Sequence, residues 1–414
     1  MKKRNLFFLM IVSMVMVPAF LFAVNTYSPE NDTYALVGQS YAATSARLTG
    51  MGGAGLGMEG YSDSFLVNPA NLGNNTFKLS LPTLSITMFN PQKLLQGEFF
   101  DDLKSYLSTK SNSDATAVAE DLLKTLTQGQ NEVERIDAGV NLLAGPIGFS
   151  VQAQERLFGY LEDASYTSGR YVAEVTAAAT LGFGMRLPLG DEFSLDLGAS
   201  GQLVYRLYSQ KLKSTDFSNM MTDSSDPNHI DPMDDIVVMS GYAVPFKGGI
   251  NLNMPFGFKV SGVVRNINGK FNYTINPSVN SWKSNLKMSE MFKGNGDFSY
   301  DEGVKYDAGV TWKVPVSGIG SFIQPTLSLD VLDFGGIKKD SSPFLAHTYA
   351  GIQARLFSFL DVRYGIAQGY QSLGLGLDLL IFHIDASYWR ADYGKQYLDK
   401  SIDAVTLRFS LITN

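Results

Sequence analysis

The sequence predicts an all-β membrane protein. It reads as a 14-stranded antiparallel outer-membrane β-barrel with an N-terminal Gly-rich hatch in the lumen and short helices in the first long loop. Three observations carry this reading. Long segments alternate apolar and polar residues with a period of two. Their charges keep to one face. Short turns alternate with long loops.

The alternation is clearest in the middle of the chain. Ala173, Val175, Ala177, Ala179, Leu181, Phe183, Met185 and Leu187 place an apolar residue at every second position. After the turn at 188–192, Phe193, Leu195, Leu197, Ala199, Leu203, Tyr205 and Leu207 repeat the pattern. Glu174, Arg186, Asp196 and Arg206 all fall on the opposite face. A soluble strand averages about five or six residues, and these segments are far longer. A charge facing lipid costs about 2–4 kcal/mol at the bilayer midplane, so its exclusion from one face is the expected response.

The pattern recurs in pairs around short turns. The expected strands are 77–90, 136–142 with 147–153, 173–187 with 193–208, 236–252 with 258–275, and 304–314 with 323–331. They continue as 344–356 with 360–366, 373–379 with 382–388, and 405–411. Even strand numbers and one-sided long loops are features of bacterial barrels. Rings near strand ends, Phe193, Tyr205, Phe258, Tyr273, Tyr306, Trp312, Phe322, Phe382 and Tyr388, suit the headgroup level. Two strands change phase, the first across Pro82 and the seventh around Val263–Val264, which requires a bulge or kink. Alternation also fades at 154–157 in the third strand.

The first loop, 91–134, departs from the β pattern. Phe99, Phe100, Leu103, Tyr106 and Leu107 recur at helical spacing, as do Val118, Leu122, Leu123 and Leu126, predicting two short amphipathic helices. The first group is the candidate outer apolar surface for gathering a hydrophobic ligand.

Composition narrows the function. Lys2, Lys3 and Arg4 precede an apolar run to Phe22 and a small residue at Ala23, the pattern of a cleaved export signal over 1–23. No cysteine is present, which excludes a lipoprotein anchor, disulfides and Cys-ligated metal. Net charge is −7, against a nucleic-acid partner. No cofactor or metal is expected: the acidic loop at 222–235 lacks the ligand spacing of a calcium loop. No spacing marks a nucleophile beside the inward-facing His347, His383 and Asp385, so no enzyme activity is expected. Inward charges are mixed. Arg206, Arg265 and Arg363 are candidates for pairing with a ligand carboxylate.

Between signal and first strand lies "RLTGMGGAGLGMEGYSDSFLVNPANLG", residues 47–73. It contains G-x-G-x-x-G twice but lacks the strand and helix of a dinucleotide site. The Gly/Ala-rich stretch followed by Asn68-Pro69-Ala70 resembles the N-terminal signature of FadL-like outer-membrane transporters of long-chain fatty acids and other hydrophobic compounds, including spirochaete paralogues. The resemblance extends over the signal, the plug motif, the helical first loop and the strand count. It implies a hatch over 24–76 inside a barrel over 77–414, with Gly52, Gly53, Gly55, Asn68, Pro69 and Ala70 in the gating part. It also implies a monomer in the outer membrane of a Gram-negative-type cell. There it would take up hydrophobic small molecules passively, passing them sideways through a kinked strand, for which the third is the candidate. Small residues let such a hatch lie close against the wall. The alternative is a structural or protein-binding barrel: a surface antigen, an adhesin or a docking partner in secretion.

Overall fold

The computed structural model describes residues 41, 45–74, 76–109, 112–161, 169–221, 227–231, 233–286, 296–301, 303–316, 322–337, 343–379, 381–393 and 397–413. The expected signal at 1–23 and the start of the hatch lie outside them.

Fourteen crossings close into an antiparallel barrel. They are β1 (Lys78–Phe89), β2 (Gly129–Ala144), β3 (Ile147–Leu161), β4 (Gly169–Pro188) and β5 (Ser194–Ser209). Three broken strands follow: β6 (Val238–Ala243, Phe246–Asn253), β7 (Phe258–Ile267, Lys270–Asn276) and β8 (Phe298–Asp301, Lys305–Lys313). The remainder are β9 (Ile323–Val331), β10 (Thr348–Leu356), β11 (Leu360–Ala367), β12 (Tyr370–Leu379), β13 (Phe382–Asp392) and β14 (Ser401–Thr413). Closure is direct, because β1 pairs with both β2 and β14. No helix among the described residues is long and apolar enough to cross a membrane.

Burial is inverted relative to a soluble protein. Leu181, Phe183 and Met185 are 61%, 54% and 44% exposed, whereas Glu174, Asp196 and Arg206 on the other face are at most 1% exposed. Apolar residues outside and charges inside make this a membrane-spanning barrel of the outer-membrane type.

The phase change in β1 is a bulge: pairing to both neighbours shifts between Ser80 and Thr83, around Pro82. β3 is irregular on one side only: its pairing with β2 shifts between Glu132 and Glu134, opposite Phe158 and Leu157. β3 pairs with β4 without a shift from Ile147 to Leu161. Its alternation fades for a further reason. Beyond Glu155 the outer face is covered as well, because Leu157 and Leu161 pack with Leu126 and Met220 from the loops. Both faces are then buried, and a period-two pattern has no cause to persist.

The irregular wall is at β6–β8. β6 is interrupted at Val244-Pro245, where proline has no ladder N–H to give. β7 is interrupted beside Asn266 and Asn268, both at positive φ (60° and 63°). β8 is interrupted beside Gly303. The register of β6 on β7 shifts between Phe246 and Gly248. Three adjacent strands thus break along one line. Asn268 Nδ2 partly repairs it by donating to the Val244 carbonyl at 3.1 Å.

The first loop holds three helices rather than two, α3 (Pro91–Gln96), α4 (Phe99–Thr109) and α5 (Asn112–Lys124), and β2 already begins at Gly129. α1 (Ala46–Gly50) and α2 (Ser64–Val67), followed by a 3-10 turn (Pro69–Leu72), precede the barrel.

Candidate functional site

The N-terminal segment, 45–73, lies inside the barrel. α1 packs on β11 to β14, and the Pro69–Leu72 turn packs on β4, β5 and β6 across the lumen. Glycines make this approach possible on both sides. A Cβ at Gly50 would stand 2.8 Å from the Gly374 Cα of β12. One at Gly365 or Gly351 would overlap the Met51 backbone, and one at Gly198 would overlap Pro69. Gly52 and Gly53 also take positive φ, 66° and 80°, which favours glycine.

Polar contacts fix the segment in register. Asn68 caps the 3-10 turn by accepting from Ala70 N, and its Nδ2 donates to Asn251 Oδ1 of β6 at 2.8 Å. Asn251 in turn donates to Asn71 Oδ1. Asp330 of β9 accepts from Gly55 N and Leu56 N at 2.5 and 2.9 Å. Glu59 meets Lys259 of β7 at 2.8 Å and Arg186 of β4 at 3.6 Å. Asp63 pairs with Arg47 within the segment and with Arg408 of β14.

The lumen has two chemistries. Toward the short turns it is ionic, around a cavity of about 1010 Å³. One ring of pairs runs Arg355–Asp361–Arg363–Asp385–His383–Asp378 and returns to Arg355. His383 presents Nε2 to Asp385 at 2.8 Å and Nδ1 to Asp378 at 3.3 Å, so both ring nitrogens face carboxylates. That is not the arrangement of a Ser-His-Asp site. His347 sits in a 3-10 turn before β10, with Nδ1 3.0 Å from the Leu332 carbonyl. Among the described residues no group of three or more His, Asp or Glu is placed to hold a metal.

Toward the long loops the lumen holds an apolar cluster beside buried ion pairs, where Glu132 meets Arg135 at 2.8 Å and Arg156 at 2.9 Å and the Arg156 guanidinium lies over the Phe158 ring. Phe158, Val172, Val204, Tyr208, Met239, Ala243, Phe271 and Tyr273 form one buried cluster, which Tyr41 also touches. Tyr208 and Tyr273 meet edge-on at 5.2 Å, and Tyr273 stacks on Phe298 at 5.1 Å. Tyr273 therefore faces the lumen and not the headgroups. The cluster reaches the broken wall, since Ala243 and Phe271 flank the interruptions in β6 and β7.

The three candidate cations each meet a carboxylate of the protein. Arg206 Nε lies 3.7 Å from Glu174 with its guanidinium over the Phe271 ring. Arg265 grips Asp307 through two nitrogens, and Arg363 joins Asp361 and Asp385. Sequence reasoning missed Lys247, whose ammonium donates to the Leu66 carbonyl. Of the outer apolar group on α4, Leu103 is buried, Phe99, Phe100 and Tyr106 are half-buried, and Leu107 is exposed. The Phe99 and Phe100 rings meet edge-on at 5.3 Å.

No family model matches the chain, and no curated protein matches it. Solved structures do show a likeness. The CymD monoaromatic hydrocarbon channel has a TM-score of 0.46 at 10% identity, over 89% of this chain and 96% of that one. The Pseudomonas putida toluene transporter TodX has a TM-score of 0.44 at 10% identity, over 95% and 99%. A Pseudomonas aeruginosa FadL homologue has a TM-score of 0.37 at 12% identity, over 95% and 98%. At scores below 0.5, the strand pairing itself remains the evidence for the fold.

Proposed function

We propose that this barrel is an outer-membrane channel for passive uptake of hydrophobic small molecules, long-chain fatty acids among them, and that the luminal segment gates it. Ligand gathers on the α4 surface and enters the apolar luminal cluster. It cannot continue straight through, because the lower lumen is ionic and stripping water from charges to admit an apolar body is costly. It leaves sideways between β6 and β7. The observation that carries this reading is the position of the apolar cluster, which ends at the broken wall.

The ionic lower lumen is also what favours the alternative, a structural or protein-binding barrel. A disulfide separates the two readings, and with no native cysteine in the chain it adds no competing pairing. Val244→Cys with Asn268→Cys spans the break. Uptake of an apolar dye by proteoliposomes should fall when this bond forms and return on reduction. Uptake indifferent to the bond would remove the lateral route, and uptake no faster than in empty vesicles would favour the alternative.

A further inference from the structure

Lys247 is a luminal cation that joins no ion pair among the described residues. It extends from β6 within the residues whose register on β7 is lost, between Phe246 and Gly248. Its ammonium contacts no carboxylate among the described residues and donates to the main-chain carbonyl of Leu66, next to the gating turn. On the lipid side of the same strip the wall is hollow. A depression of about 560 Å³ lies among Leu181, Phe183, Phe246 and Ile267, over Gly201 and Gly248. A Cβ at Gly248 would meet nothing within 4 Å, so this groove is open space. Lys247 is the one charged residue on its lining.

Lys247 is half-buried, and an ammonium that meets a neutral carbonyl there recovers less of its desolvation cost than one that meets a carboxylate. Charge and groove together describe an occupant with an apolar body and a single anionic head. We propose that Lys247 determines the specificity of the lateral exit, selecting hydrophobic acids over neutral hydrocarbons of equal size. The ligand's acid group takes the place of the Leu66 carbonyl while its chain passes into the outer groove. Because Leu66 belongs to α2, the exchange also loosens the segment as the ligand arrives. This inference rests on the uptake reading.

The test compares dodecanoate with dodecanol, which share chain length and differ in charge. Their entry is measured into asymmetric vesicles with a lipopolysaccharide outer leaflet. Wild-type protein should favour the acid by about tenfold, the ratio that about 1.4 kcal/mol supplies. Lys247→Met should bring the two rates close to parity, and Lys247→Arg should restore the preference. An acid preference that survives in Lys247→Met, or a wild type that treats both compounds alike, overturns the role of Lys247 and leaves uptake standing. If neither compound enters faster than in protein-free vesicles, the uptake reading fails and this inference with it.

Discussion

Asp63 Oδ2, in the luminal segment, lies 2.6 Å from Arg408 Nη1 on β14, while its Oδ1 accepts from Arg47 Nη2 at 3.1 Å. One buried carboxylate therefore ties the segment to itself and to the wall. Asp63→Asn leaves two guanidiniums without their counter-charge, and breaking a buried pair costs about 3–5 kcal/mol. Amide exchange over 45–73 should accelerate while exchange in the strands stays slow. Unchanged protection of the segment would count against this anchor.

The same pair sets a pH dependence. Burial pushes the Asp63 carboxyl up, but Arg408 and Arg47 outweigh it and hold the group well below the usual carboxylate range. A folded-state value below the unfolded one gives stability that is present above the unfolded pKa, about 4, and is lost as pH falls through the folded value. Protection of the segment should hold steady from neutral pH to about 4 and decline only in stronger acid. Exchange measured along that series checks the sign, and Asp63→Asn should lack the Asp63 step.

Gly365→Val tests the close approach of segment and wall. The added Cβ would overlap the backbone at Met51 and Gly52. The segment has to withdraw, and single-channel conductance in planar bilayers should rise above the wild-type value. A variant with native conductance and native exchange would show that the wall yields instead.

Phe99→Ala with Phe100→Ala removes the paired rings of α4. Their loss should slow uptake several-fold at low ligand concentration and matter less at saturation, because capture and not passage is affected. Equal slowing at all concentrations would place the rings on the passage itself.

A charge-free face repeated along successive long segments fixed the barrel and its crossing number, because lipid penalises charge residue by residue and leaves that record in one strand at a time. The bulge at Pro82 was legible for the same reason: a phase change is local. The glycines of the segment were legible as a stretch able to lie close to a wall, since small residues permit backbone contact, whereas Asn68-Pro69-Ala70 was marked by the family resemblance alone. Tertiary structure decided the rest. Fading alternation in β3 reads in sequence as a kink; there the pairing with β2 shifts opposite Leu157 and Phe158, and loop residues fold over the outer wall. The break lies in β6 to β8, where Pro245, Asn268 and Gly303 matter only because three strands place them side by side. Arg206, Arg265 and Arg363 could not be matched to their acids in sequence, because Glu174, Asp307 and Asp385 stand on other strands. Lys247 meets the Leu66 carbonyl and no carboxylate among the described residues, and which neighbour a side chain meets is a property of three-dimensional arrangement that no single strand encodes.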